Sequence, residues 1–349
     1  MFLDRLKNFK SYKTETTPCR VKLSSNENPY DFPVWLKEKI GKAVKDIPLN
    51  RYPDPLSHEL KEVVADFYRI SPENIVLGNG SDELIHLLIT VVGQIDRPVM
   101  YPVPTFPMYQ VSADVLGRPK SEFSLDKEFQ LDKKELNKAL ESKPQLAFFA
   151  SPNNPTGNSF DRNLILYTAG KGVFTAVDEA YVHFSDKKDF LDEAVNSDRI
   201  VVIRTMSKIG LAGIRLGVLV ANKEVASLLD RARQPFNITY PTQVIGKIVL
   251  TEGREVIKNQ IQKIVSERKR VMAQLKNIKG ITVFPSDANF FLIKVPDGNK
   301  VHRMLIKEGV LVRNMSHLPM MENCLRVSVG KPEENDEFIK AIKNVMEKL

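Results

Sequence analysis

Between residues 74 and 220 the chain repeats one pattern: a short apolar run, a turn, and a stretch with helical period. The apolar runs are Asn74 to Leu77, Arg97 to Tyr101, Gln145 to Ala150, Gly172 to Val177, Ile200 to Arg204 and Gly217 to Val220. Runs this short, bounded by turn residues, read as strands buried on both faces. Ser81 to Val92 and Tyr109 to Leu116 read as helices between them. Buried strands alternating with helices dictate an α/β sheet covered on both sides. Ahead of this block lie a helix at Val34 to Val44, a Pro-rich loop at Pro48 to Pro55, and a helix ending at Tyr68 that Ser57 is placed to cap. Beyond it the texture changes. Helix dominates from Thr242 to about Lys276. There follow short runs at Ile281 to Phe284, Asn289 to Ile293, Val310 to Arg313 and Cys324 to Val329, a helix at Lys300 to Glu308, and a closing helix from Glu333. The expected organisation is a large α/β domain at 46–245 and a smaller α+β domain made of 246–349 together with 1–45, the N-terminal arm.

Composition narrows the partners. The 349 residues carry a formal charge of +8, but bases and acids are interspersed. The densest basic run, Lys263 to Arg270, falls on a helical stretch and reads as a solvated face. The balance fits a site for phosphates and carboxylates, and neither nucleic acid nor a membrane is expected. No stretch approaches the roughly 20 apolar residues of a membrane span. The N-terminus shows no apolar core of a secretory signal. Cys19 and Cys324, far apart and without metal-ligand spacing, suggest no metal site and reduced thiols in the cytoplasm.

Candidate chemistry gathers just after the strands. Thr205-Met206-Ser207-Lys208 follows one of them, with Arg215 beyond a glycine-bearing turn. A lysine there either reaches solvent or, if desolvated beside positive charge, forms a Schiff base. Ser207 and Arg215 can both grip a phosphate, and a phosphate held beside a reactive lysine is what pyridoxal phosphate requires. Asp178 ends another strand; it is a helix cap or the anion that keeps a pyridinium nitrogen protonated. Tyr181, three residues on, can donate to a phenolic oxygen, and so can Asn154 in the turn Ser151 to Gly157. Gly80, Ser81 and Asp82 lie between a strand and a helix, where free N–H groups and the helix dipole favour phosphate. Phe106 either stacks on an aromatic cofactor or sits in the core.

This order of phosphate loop, aromatic, Asn turn, strand-end Asp, Ser-Lys and Arg resembles the fold-type I pyridoxal-phosphate aminotransferases. Within them the chain looks most like the histidinol-phosphate aminotransferases, a group in the class II family. The subgroup marks are Ser25 to Tyr30, Arg51 to Asp54, Gly80 to Ile85, Val310 to Asn314 and Cys324 to Gly330. The resemblance covers nearly the whole chain and implies a mostly parallel seven-stranded sheet in the large domain. It also implies amino transfer between L-histidinol phosphate and 2-oxoglutarate, with imidazole acetol phosphate and glutamate as the other pair, in histidine biosynthesis. Lys208 would carry the Schiff base and move the proton, Asp178 would pair with the ring nitrogen, and Asn154 and Tyr181 would bond to the phenolic oxygen. Phe106 would stack, while Gly80, Ser81, Asp82, Ser207 and Arg215 would hold the phosphate. Tyr52 would reach that phosphate from the partner subunit of a homodimer with shared sites. Arg326 would pair with the glutamate or 2-oxoglutarate carboxylate, with Arg313 and Tyr12 near the substrate phosphate. Arg215 follows Lys208 by seven positions, one fewer than in many such enzymes. Two other activities fit the same scaffold, transamination of aromatic amino acids and decarboxylation of threonine phosphate. A non-enzymatic regulator of this ancestry would carry a DNA-binding module, for which there is no room before Asn26.

Overall fold

The apolar runs do become strands. The structure, a computed structural model, describes residue 15 and residues 17–349. In chain order the strands are β1 (Val21–Leu23), β2 (Ile75–Asn79), β3 (Val99–Val103), β4 (Lys120–Ser124), β5 (Leu146–Ala150), β6 (Phe174–Asp178), β7 (Ile200–Thr205), β8 (Leu216–Val220), β9 (Thr282–Val283), β10 (Phe290–Lys294), β11 (Val310–Asn314) and β12 (Cys324–Ser328). Seven of them form one sheet in the order β2-β8-β7-β6-β5-β3-β4. From β7 through β6, β5 and β3 to β4 every pairing is parallel, whereas β8 runs antiparallel to both β7 and β2.

Every residue of β5, β7 and β8 is buried, so these strands show no polar face and read as unbroken apolar runs. Their side chains still alternate. Phe148 packs in the cluster beneath helix Gly80–Val91, and Phe149 in the cluster on the other face. β4, by contrast, is an edge strand. Ser121 and Phe123 are buried between exposed Lys120, Glu122 and Ser124.

The remaining five strands form a second sheet, in the order β1-β11-β12-β10-β9. β1 pairs parallel with β11, bringing Val21 opposite Val310, and the other pairs are antiparallel. Helices Arg254–Leu275, Gly298–Lys307 and Pro332–Glu347 pack on it. The apolar cluster of this sheet is continuous with that on one face of the large sheet. Residue 246 lies inside the unbroken helix Tyr240–Glu252, which packs on helices Val34–Lys45 and His58–Tyr68.

Ser57 does not cap its helix. It is buried, in the left-handed region at φ 51, and its side chain makes no cap bond. A capping side chain needs an extended backbone to reach back. Asp54 takes the role, accepting from the backbone N–H of Leu56 (2.9 Å) and His58 (2.7 Å).

The topology positions the site. β2, β3, β5, β6 and β7 point the same way, so their carboxyl ends share one edge of the sheet, the place where ligands bind in such sheets. β8 runs the other way and therefore starts at that edge.

Candidate active site

Lys208 stands where the chain reverses between β7 and β8. Two 3₁₀ turns, Met206–Ile209 and Ala212–Ile214, fill the reversal. Gly210 at φ 114 and Arg215 at φ 54 complete this ten-residue reversal. Thr205 holds the first turn, its Oγ1 accepting from the Ser207 N–H (3.2 Å) and lying 2.9 Å from the Ser207 Oγ. Helix Gly80–Val91 starts against β8. A Cβ on Gly217 would collide with the Gly80 backbone, and one on Gly80 would run into the Arg215 guanidinium, so the approach needs both glycines. Arg215 Nη2 lies 3.1 Å from Asp82 Oδ2. The Gly80 N–H is already donated to the Arg215 carbonyl (2.7 Å), and Gly80 does not line the cavity. Ser81 and Asp82, in the first turn of the helix, do line it.

Asp178 ends β6 almost fully buried, 3% exposed. Its Oδ2 accepts from the Tyr109 hydroxyl (2.7 Å) and its Oδ1 from the Ala180 N–H (3.1 Å). Burial pushes its carboxyl up to about 6, against the lowering pull of those two hydrogen bonds and of the Lys208 charge. Burial, and then the Asp178 charge, also raise the Tyr109 hydroxyl well above its ordinary value. Tyr109 stacks on Phe148 at 4.7 Å between centroids, and Phe106 meets Tyr109 edge-on at 5.8 Å. Beneath lies a buried ion pair. Glu179 Oε2 accepts from Arg204 Nε (2.9 Å) and Nη2 (2.6 Å), and Arg204 lies over the Tyr68 ring at 4.6 Å. It ties the residue after Asp178 to the strand that leads into Lys208.

Across from these, the Tyr181 hydroxyl accepts from Asn26 Nδ2 (3.1 Å), and Lys208 Nζ lies 5.7 Å from the Tyr181 ring centre. Arg326, on β12, donates to Asn154 Oδ1 (2.6 Å) and to the Ser24 carbonyl (2.7 Å). The acceptor oxygen of Asn154 is thereby occupied.

Ser81, Asp82, Phe106, Asn154, Asp178, Tyr181, Ser207, Lys208 and Arg215, all expected at the site, line one cavity of about 500 Å³, part of it open to solvent. A second cavity of about 490 Å³ shares Phe106, Asn154, Tyr181 and Lys208 with it and adds Glu15, Asn26, Arg313 and Arg326. Tyr52 lines neither. It is 79% exposed and stacks on Phe236 at 4.6 Å. Tyr12 lies outside the described residues. Sequence reasoning missed Tyr109, Asn26, Thr205 and the Glu179–Arg204 pair. Of these Tyr109 left a trace, since a tyrosine in an apolar helix face must find a partner for its hydroxyl.

Residues 20–342 match the family Aminotransferase class I and II. The chain belongs to that family and is an aminotransferase, with the fold of the type I pyridoxal-phosphate enzymes. Histidinol-phosphate aminotransferase of Aquifex aeolicus is 49% identical over 100% of this chain and 99% of its own length. The protein of the same name from Pyrococcus furiosus is 38% identical over 99% of this chain and 98% of its own. Among solved structures, histidinol-phosphate aminotransferase from Clostridium acetobutylicum has a TM-score of 0.85 at 26% identity, covering 94% of this chain and 100% of that one. The Sinorhizobium meliloti enzyme of that name, solved with pyridoxal 5'-phosphate, shares the fold at a TM-score of 0.87 and 21% identity, with 99% and 98% covered. Among the described residues no helix is long and apolar enough to cross a membrane.

Proposed function

We propose that this chain transfers the amino group of L-histidinol phosphate to 2-oxoglutarate, as a step of histidine biosynthesis, with pyridoxal 5'-phosphate at Lys208. The observation that carries the reading is the meeting of Lys208, Asp178, Asn154, Tyr181 and Arg215 in one cavity, although they are spread over 62 positions of the chain. The donor set suits the cofactor. A buried carboxylate fits a cationic ring nitrogen, a helix start with Ser207 and Arg215 fits a phosphate, and a lysine amine lies between them.

Bound there, the cofactor supplies an electron sink for the pair left when the substrate Cα–H bond breaks. The protein supplies the rest. Asp178, fixed by Tyr109 and Ala180, keeps the proton on the ring nitrogen. Asn154, whose oxygen is taken by Arg326, presents its N–H to the phenolic oxygen, with Tyr181 as a second donor. Lys208 would hold the cofactor covalently and, as a neutral amine once the substrate amine has replaced it, would take the proton from the substrate Cα. Arg326 offers a planar fork to the carboxylate of the second substrate, and Arg313 a charge to the phosphate of the first. The same residues then act in reverse on the keto acid, giving glutamate.

Tyr52, exposed and propped by Phe236, is read as reaching the phosphate of a partner subunit in a homodimer. The two free cysteines, Cys19 and Cys324, support a cytoplasmic place of work. The large domain is proposed to span 46–245; the pairing of β1 with β11 supports grouping the N-terminal arm with the C-terminal segment, while the 245/246 limit falls within helix Tyr240–Glu252.

The test is the absorbance spectrum of the purified protein, with each candidate amine added in turn. A band near about 400–430 nm that is bleached by L-histidinol phosphate and restored by 2-oxoglutarate is expected. Faster bleaching by phenylalanine would assign an aromatic aminotransferase instead. Release of CO2 from threonine phosphate without any need for a keto acid would assign a decarboxylase.

A further inference from the structure

Tyr181 is useful at a cofactor's phenolic oxygen only if its hydroxyl proton points there. A phenol has one proton and can accept as well as donate. What fixes the choice is the group on its other side, and in this chain that group is Asn26. We infer that Asn26 is a positioning residue that sets the direction of the Tyr181 proton, by donating its own N–H to the Tyr181 oxygen and leaving the phenol to donate into the cavity. The inference rests on the reading above, that Tyr181 faces the phenolic oxygen of the cofactor.

The geometry fixes Asn26 itself. It is 1% exposed, with φ 54, a left-handed conformation that asparagine tolerates better than most residues. Its backbone N–H donates to Ser328 Oγ (2.8 Å), and its carbonyl accepts from Asn289 Nδ2 (3.0 Å). Ser328 Oγ in turn donates to Asn26 Oδ1 (3.0 Å). Because the backbone N–H can only donate, the serine oxygen is the acceptor there and its single proton is free for Asn26 Oδ1. That places the amide nitrogen against Tyr181 (3.1 Å). With the amide turned round, the serine proton would lose its acceptor, and Tyr181 would point its proton at Asn26, away from the cavity.

The consequence is electrostatic. A donor at the phenolic oxygen favours the deprotonated form of the lysine-bound cofactor and lowers the midpoint of its visible absorbance titration. The charged groups that share this environment are Asp82, Asp178, Lys208 and Arg215 in the first cavity and Glu15, Arg313 and Arg326 in the second. Asn26, joined to β12 by Ser328 and to the residue before β10 by Asn289, belongs to the small sheet. It therefore links that sheet to the acidity of a group held by the large one.

The experiment titrates the visible band of the holoenzyme without substrate, in Asn26→Asp, Tyr181→Phe and the double variant. Aspartate fits the left-handed backbone but can only accept, so it draws the tyrosine proton to itself. Asn26→Asp and Tyr181→Phe are each expected to raise the midpoint by about one pH unit or more. In the double variant it should add little. If Tyr181→Phe shifts the midpoint and Asn26→Asp does not, the inference fails while the reading of Tyr181 stands. A full Asn26→Asp shift that persists beside Tyr181→Phe would show a through-space charge effect, and the inference also fails. No shift in Tyr181→Phe would remove the underlying reading. Should Asn26→Asp not fold, Ser328→Ala frees the amide to turn. It is expected to raise the midpoint by a smaller amount, and an unmoved midpoint there overturns the inference.

Discussion

The two walls of the site are built differently. The large-sheet wall consists of strand ends. Asp178 ends β6 and Lys208 follows the end of its parallel neighbour β7, locked by Tyr109, by Thr205 and by the buried Glu179–Arg204 pair. The small-sheet wall carries Arg313 and Arg326 on antiparallel neighbours in direct register. It also carries Asn26, on a segment that joins the sheet through β1. On the proposed reading the first wall would face groups common to both halves of the reaction, and the two arginines of the second would face groups that differ between substrates. Damage to the first should therefore slow every substrate equally, and damage to those arginines should discriminate.

The largest expected effect tests the first wall. Lys208→Ala should lower single-turnover rates by about 10⁴-fold, and by the same factor with L-histidinol phosphate and with glutamate. A variant that loses only one half-reaction would break the comparison.

The second wall should answer selectively. Arg326→Lys keeps the charge and loses the fork, and roughly a 10- to 100-fold fall in kcat/KM for 2-oxoglutarate is expected. Arg313→Met should raise KM for L-histidinol phosphate about tenfold and leave glutamate little changed. Equal losses for both substrates in either variant would place that arginine with the first wall.

A last effect is on stability and not on rate, and it isolates Asp178. In the cofactor-free chain its carboxyl is pushed up to about 6, above its ordinary 3.8, chiefly by burial. Between those values the folded chain holds a proton that the unfolded chain has lost. Stability should thus fall as pH rises from about 4 to about 6, by roughly 2–3 kcal/mol, and be flat above. Thermal denaturation of wild type against Asp178→Asn should show this slope only in the wild type. Added pyridoxal 5'-phosphate should weaken it, since a ring cation stabilises the carboxylate. An identical slope in both proteins would mean that other groups cause it.

Much of this architecture was legible in the sequence. β2, β3 and β5 to β8 announce themselves as apolar runs, and Asp178 and Lys208 are found because chemistry in such sheets sits at strand ends. What escaped did so for physical reasons. β4 is an edge strand with only Ser121 and Phe123 buried, too few to register as an apolar run. β1 is three residues long and exists because β11, 289 positions away, pairs with it. Helices Lys133–Leu140 and Lys223–Ala232 have highly charged faces that obscure their narrow apolar stripes. Asn26 carries no local signal of its role and Tyr109 only the trace of a hydroxyl in an apolar helix face, since each is defined by a partner brought close only by folding. Ser57 shows the reverse: a residue of the right type for a cap whose backbone forbids it.

The single reversed strand of the large sheet has a mechanical meaning. Because β8 turns straight back from β7, Lys208 and Arg215 ride on the two limbs of one short hairpin, with no crossover helix between them. A tilt of that hairpin would swing the amine and the guanidinium together, like two jaws on a common plate. The distance between them would hold even as the plate turns.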